Sequence, residues 1–408
     1  MKIMKICAII CEFNPLQNGH KKILEKAREL TSCDFVLCIM SGNFTQRGEY
    51  AIVDKFTRAN FAIIAGADMV VHNPTVFSCS SSEIFALSNI KIANSFKDIT
   101  HLCFGSECGD IEILKKCATF LASEPKEYSD LLKKYLQLGN NYNKSRALAL
   151  VELAQINEEF KSYLEILNSP NNILAVEYIK ALIKTNSKIE PITIKREDNF
   201  NSNELSNFAS STAIRNELYK TNKLTKCKDA MPENIYDAFE KHLKTNNLPS
   251  IQTFDNVMLY TLRTKPLEDI KNTFDVVEGL ENRIKEVAKN ALNSKDYFEK
   301  IATKRYQPAR LRRIATHLVL SITKDDVMSI YKFDKLPYIK VLATKKTILK
   351  DNLNCNTNLI VRNAETKNLP ISANRLIEIE ENSEQLYTLL TNKVNTTPYI
   401  LQTCKIYD

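Results

Sequence analysis

Near the N-terminus the segment Glu12-Phe13-Asn14-Pro15-Leu16-Gln17-Asn18-Gly19-His20 follows an apolar β-type run and leads into a helical pattern that starts at Gly19 or His20. A strand that runs into a helix start suits a phosphate, because the first turn offers free N–H groups and the positive end of the helix dipole. Gly19 lets a nucleotide approach the backbone closely, and His20 can donate to a phosphate oxygen. A second segment, Ser210-Ser211-Thr212-Ala213-Ile214-Arg215, places hydroxyls and an arginine at another helix start. That pattern suits a polyphosphate, although Ser and Thr there also serve as ordinary N-caps.

The elements that must position these residues are legible as β-branched runs alternating with helical patterns. The runs are Ile6–Ile10, Phe35–Met40, Met69–Val71, Leu102–Phe104 and, much later, Pro191–Ile194; helical spacing covers Lys21–Leu30, Asp54–Ala65 and Glu83–Ala93. Nearly continuous apolar strands separated by helices mean a parallel sheet covered on both faces, with ligands held beyond the carboxyl ends of the strands. Residues 110–190 read as helices, with Leu131, Leu132, Tyr135 and Leu136 at helical spacing. After residue 220 the pattern becomes helix after helix. It predicts a Rossmann-like α/β domain over 1–220 and a mainly helical region over 221–408, with a polar loop from Asp198 to Asn207 before the boundary.

Composition agrees. The chain has 408 residues, 44% hydrophobic and 25% charged, the balance of a globular protein of two or three domains rather than a disordered one. Glycine accounts for only 8 residues, and Gly19, Gly42, Gly48, Gly66, Gly105 and Gly109 all fall in the first 110; backbone-demanding loops, and with them the chemistry, are expected there. No apolar run of 18 residues and no signal-peptide pattern occur, so neither a membrane span nor secretion is expected. Eleven cysteines is an odd number, and Cys7, Cys11, Cys38 and Cys103 lie in or beside apolar runs, which fits buried thiols in a reducing cytoplasm. The histidines are scattered with no metal-ligand spacing, so no structural zinc and no protein-built metal site is expected.

Basic residues cluster in the helical half. Lys304, Arg305, Arg310, Arg312 and Arg313 surround Tyr306 without an intervening acid, a pattern that suits RNA phosphates with an aromatic to stack a base. A second run, Lys335, Lys340, Lys345, Lys346 and Lys350, reads first as a solvated helix face, with an RNA surface as the fallback. The net charge of +8 agrees with RNA binding.

Taken together, the Gln17–His20 and Ser210–Arg215 segments resemble the HxGH and ISSTxxR motifs of the nucleotidyltransferase superfamily. Further segments narrow the resemblance: Ser41–Glu49, Phe104–Glu107, Ser169–Leu174 and Thr303–Tyr306 are similar to those of the bacterial tRNA(Met) cytidine acetate ligase family. The resemblance implies that acetate and ATP form acetyl-adenylate, and that acetyl passes to the wobble cytidine of elongator tRNA(Met) to give N4-acetylcytidine. It implies ATP contacts at Ile10, Cys11, Glu12, Phe13, Asn14, Pro15, Gln17, Asn18, Gly19, His20 and Ile23, and at Gly105, Asn171 and Arg196. Ser211, Thr212 and Arg215 join Gln17 and His20 at the triphosphate. Arg47, in a polar loop with two glycines, reads either as a residue near acetate or the incoming cytidine or as part of a loop in which Gly42 and Gly48 serve turns only; Gln17, His20 and Arg47 are the catalytic candidates. Mg2+ held mainly by phosphate oxygens and water is expected, the location is cytoplasmic, and no stable protein partner is implied. The family usually has histidine where this chain has Gln17, which can donate a neutral hydrogen bond but carries no proton charge. Two other readings stand beside this one: a small-metabolite adenylyltransferase, and a non-catalytic RNA-binding protein with a degenerate nucleotide site.

Overall fold

The computed structural model describes residues 4–196, 207, 209–277, 279–303, 305–351 and 353–408. Lys304 and all of the expected polar loop except Asn207 lie outside the described residues. Eight strands form one sheet: β1 (Ile6–Cys11), β2 (Phe35–Ser41), β3 (Met69–Asn73), β4 (Ile99–Ser106), β5 (Glu190–Lys195), β6 (Tyr338–Lys345), β7 (Asn358–Ile360) and β8 (Lys405–Tyr407). The order is β5-β4-β1-β2-β3-β6-β7, and β8 also pairs with β6. The first five strands are parallel. The chain leaves β1 toward β2 on one side and later returns to place β4 on the other, so the strand order switches between β1 and β4. A crevice at the carboxyl ends of the strands opens at such a point.

Alternation along each strand divides the core between two faces. Ile6 and Ala8 of β1 join Leu37 and Ile39 of β2 on one face, while Cys7, Ile9, Val36, Cys38 and Met40 point to the other. Helices Asn18–Thr31, Lys55–Ile64, Ser211–Thr221 and Glu233–Leu243 cover the second face. Helix Ser82–Asn94, five helices between residues 111 and 184, and most of the C-terminal helices cover the first. All eleven cysteines are unpaired.

The region after residue 220 departs from its sequence pattern, because three strands interrupt the helices. Strand β6 lies antiparallel to β3, pairing Met69 with Thr344 and Val71 with Val341. Its side chains enter both faces of the core, with Ile339 and Val341 on one and Leu342 and Ala343 on the other. Lys340 hides this strand in the sequence. It is 1% exposed, and its Nζ donates to the Ile400 carbonyl at 2.8 Å. Burial pulls its pKa down to about 8. Lys345 pairs with Asp68 at 2.9 Å, and Lys346 with Asp408. The lysine run is therefore not the continuous free surface considered as an RNA fallback. Among the described residues no helix is long and apolar enough to cross a membrane.

Candidate active site

A cleft of about 890 Å³ opens at the carboxyl ends of β1 and β4. Its floor begins with the turn after β1. Arg58, fully buried on helix Lys55–Ile64, holds that turn: it donates to the Glu12, Ser41, Gly42 and Val53 carbonyls, tying the ends of β1 and β2 together. Helix Asn18–Thr31 then starts into the cleft. Gln17 is its N-cap, with Oε1 accepting from the Gly19 N–H, while His20 Nδ1 accepts from the Gln17 N–H at 3.2 Å. This reciprocal cap fixes the imidazole tautomer. With Nδ1 accepting, the proton of the neutral ring sits on Nε2, the nitrogen that can donate to an anion. Gln17 thus serves first as a cap, and its Oε1 is committed to the helix rather than to a ligand.

Helix Ser211–Thr221 docks its first turn on the same loop. Ser211 Oγ donates to the Pro15 carbonyl at 3.0 Å, and Arg215 Nη1 donates to the Asn14 carbonyl at 2.7 Å. Arg215 also reaches Thr212 Oγ1 at 3.3 Å and Glu49 at 3.6 Å. At the end of β4 an added Cβ on Gly105 would lie 3.2 Å from Arg196 Cγ and 3.5 Å from Ile23 Cδ1, so glycine keeps the backbone clear of a tight contact with Arg196. Arg196 Nη1 donates to Asn171 Oδ1 at 3.4 Å. Glu107 accepts from the Asn171 Nδ2 and from the Asn172 N–H, both at 2.8 Å, capping helix Pro170–Lys184. The role of Glu107 was not readable from the sequence, since it depends on a helix that starts more than sixty residues later.

The cleft therefore gathers Ile10, Cys11, Glu12, Phe13, Asn14, Gln17, His20, Ile23, Arg47, Gly105, Asn171, Arg196, Ser211, Thr212 and Arg215 in one wall and floor. It does not gather Pro15, Asn18 or Gly19. Pro15 is buried beneath the loop, Gly19 packs against the Gln17 side chain, and Asn18 Nδ2 turns away to the Asn207 and Asp229 carbonyls, both at 2.8 Å.

The basic cluster brings the largest revision. Its arginines do not form a surface remote from the nucleotide motifs: Arg305, Arg310 and Arg313 line the same cleft. Helix Pro308–Leu320 presses on the loop that carries Arg47. Thr316 Oγ1 donates to the Gly48 carbonyl at 3.0 Å, Arg313 reaches the Gln46 carbonyl at 3.5 Å, and Arg312 pairs with Glu49 at 3.4 Å. Arg310 donates to the Asp275 carbonyl at 2.6 Å. Tyr306 is 8% exposed within the core, with the Arg305 and Arg310 guanidinium groups near its ring. It offers no open face to a base, contrary to its expected stacking role.

Among the described residues no group of three His, Cys, Asp or Glu side chains could hold a metal ion. Glu12 accepts from Ser41 Oγ at 3.0 Å and from the Gln46 N–H at 2.8 Å, and Glu49 faces Arg215 and Arg312. Both carboxylates are committed to protein partners.

A parallel sheet with a phosphate-type helix start at its switch point is the arrangement of nucleotidyl transferases, and the family model for HIGH nucleotidyl transferases matches residues 4–399. A tRNA(Met) cytidine acetate ligase of Clostridium perfringens is 36% identical over 402 residues, covering 96% of each chain. Another from Clostridium novyi is 37% identical over 400 residues, covering 96% of this chain and 97% of that one. The crystal structure of apo Thermotoga maritima TmcAL superposes with a TM-score of 0.91 at 28% identity, covering 99% of this chain and 100% of that one. The same protein bound with alpha-thio ATP gives 0.88 at 27% identity, with the same coverage. The chain belongs to the HIGH nucleotidyl transferases and, within them, to the tRNA(Met) cytidine acetate ligase family.

Proposed function

We propose that this protein activates acetate with ATP and transfers the acetyl group to the wobble cytidine of elongator tRNA(Met). The observation that carries the reading is the meeting, in one cleft, of the two phosphate-type helix starts with three arginines of the basic cluster. In the first step an acetate oxygen attacks the α-phosphorus, and the bond to pyrophosphate breaks. Acetate is a weak nucleophile, so the protein must hold it in line and neutralise the charge that develops. His20 Nε2–H, Thr212 and Arg215 face that charge, and the Asn18–Thr31 helix dipole adds to them. Asn171, Arg196 and the backbone at Gly105 hold the nucleoside side. Mg2+ carried in by the triphosphate would neutralise the leaving pyrophosphate. In the second step the cytidine N4 attacks the acetyl carbon, AMP departs, and the nitrogen loses a proton to solvent. Arg47 stands on the loop between the two arginine-bearing elements, where it can follow either step.

Acetate-dependent ATP–pyrophosphate exchange, measured with and without tRNA, tests the reading. Exchange is expected without RNA. Absence of exchange, or exchange only with another carboxylic acid, overturns the ligase; exchange that requires a small metabolite supports the adenylyltransferase, and tRNA binding without any exchange supports the degenerate site.

A further inference from the structure

The helices inserted between β4 and β5 bring to the cleft a cation that the adenylation chemistry leaves unused. Arg146, on helix Tyr142–Ala154, is 3% exposed and lines the cleft. Among the described residues its side chain makes no hydrogen bond and no ion pair; its guanidinium carbon lies 5.8 Å from the centre of the Tyr142 ring. The paired arginines of the cleft differ, since Arg196, Arg215, Arg310 and Arg313 each reach an oxygen of the protein. A guanidinium that lines a ligand cleft with no protein oxygen bound to it has its donors available to an anionic ligand.

The surroundings favour an anion as well. Ser81 and Ser82, at the start of helix Ser82–Asn94, line the cleft, as do Asn141 and Tyr142 at the start of Arg146's own helix. Two positive helix ends thus face the same space. The acids nearby are already matched, because Lys180 pairs with Glu177 at 2.9 Å and with Glu83 at 3.5 Å. Tyr142 and Arg146 are four apart and share a helix face, and Tyr142 is 48% exposed.

Position separates this subsite from acetate. Acetate must stand in line with the α-phosphate, beside His20 and the end of β1, which line the cleft floor. Arg146 stands instead on helix Tyr142–Ala154, one of the five helices inserted between β4 and β5, and belongs to neither of the two phosphate-type segments. We infer that Arg146 binds a backbone phosphate of the acceptor RNA strand, with the half-exposed Tyr142 ring beside it as a stacking surface for a flanking base. The inference rests on the ligase reading for the identity of that strand.

The test uses the full-length protein with Arg146→Ala, Arg146→Lys and Tyr142→Ala, measuring tRNA affinity against salt and, separately, acetate-dependent exchange without RNA. Arg146→Ala should weaken tRNA binding roughly 10–100-fold, as expected for losing a charge-assisted contact, and lower the salt slope by about 0.7. Arg146→Lys should recover part of the affinity, and the KM for acetate should not move. A raised KM for acetate with unchanged tRNA affinity would assign Arg146 to the carboxylate and overturn the inference, as would no change in either. If Arg146→Ala does not fold, Arg146→Lys and Tyr142→Ala carry the test: parental tRNA affinity and salt slope in both would overturn it. A parent that never exchanges refutes the ligase reading alone, since the RNA-binding measurement does not depend on exchange.

Discussion

His20 is the residue on which sequence and structure meet most directly. Its Nδ1 closes the helix cap, which places the proton of the neutral ring on Nε2. His20→Ala should therefore slow acetate-dependent exchange by ~10²–10³, the usual effect of removing a donor that faces developing charge. Its cost in stability should stay near the value of one helix cap, about 1 kcal/mol. Exchange kinetics set beside urea unfolding check both parts, and a parental exchange rate would remove His20 from the phosphate. Gln17→His asks a separate question. Because Gln17 Oε1 already caps Gly19, the exchange rate is expected to stay within about tenfold of the parent, a difference of less than about 1.4 kcal/mol in barrier; a larger gain would show that glutamine weakens the site.

At the scale of elements, the helix Pro308–Leu320 and the Arg47 loop behave as one piece. Gly48 has φ +75°, and a Cβ there would lie 2.4 Å from the Arg313 backbone nitrogen. Neither the backbone angle nor the space admits a side chain. Gly48→Ala should lower the unfolding midpoint, by the equivalent of roughly 1–3 kcal/mol, and should depress exchange because Arg47 moves with the loop. Thermal unfolding and exchange assays read the two effects; an active, fully stable variant would show that the loop and the helix are not in register. The same contact changes what the arginines predict. Were they a remote RNA surface, replacing Arg310, Arg312 and Arg313 by alanine would leave adenylation intact. Since Arg313 reaches the Gln46 carbonyl and Arg312 pairs with Glu49, the triple variant should lose exchange as well as tRNA affinity.

For the whole molecule, β6 makes the two halves one folding unit. A fragment ending at residue 220 would leave the β3 edge unpaired and remove the side chains of Ile339, Val341 and Leu342 from both core faces, each worth about 1.5–3 kcal/mol of burial. It should not unfold cooperatively by calorimetry. Acid should loosen the same union. His317, fully buried, donates from Nε2 to the Cys79 carbonyl at 2.6 Å, and burial holds its pKa down to about 4. An unfolded histidine titrates near 6.5, so below that pH the unfolded chain gains a proton that the folded chain refuses. Stability from this group is complete above about pH 6.5 and is lost as pH falls toward 4, by at most about 3 kcal/mol. Urea midpoints at about pH 7.5 and about pH 5 should show the fall, and His317→Gln should reduce it.

Local order along the chain was enough to read the parallel strands, the two helix starts and the place of the site, because a strand that runs directly into a helix start carries its own geometry in consecutive residues. Hence Gln17, His20, Thr212 and Arg215 stood out before any contact was known, and the structure sets them around one opening. What depended on distant partners was not readable in this way. Lys340 looks solvated until the Ile400 carbonyl comes to meet it, and Tyr306 looks like an RNA platform until the core covers it. Glu107 reads as one more acid until helix Pro170–Lys184 begins above it. Whether a charge or an aromatic faces water or ligand is set by what packs against it from elsewhere in the chain, and only the tertiary structure supplies that neighbour.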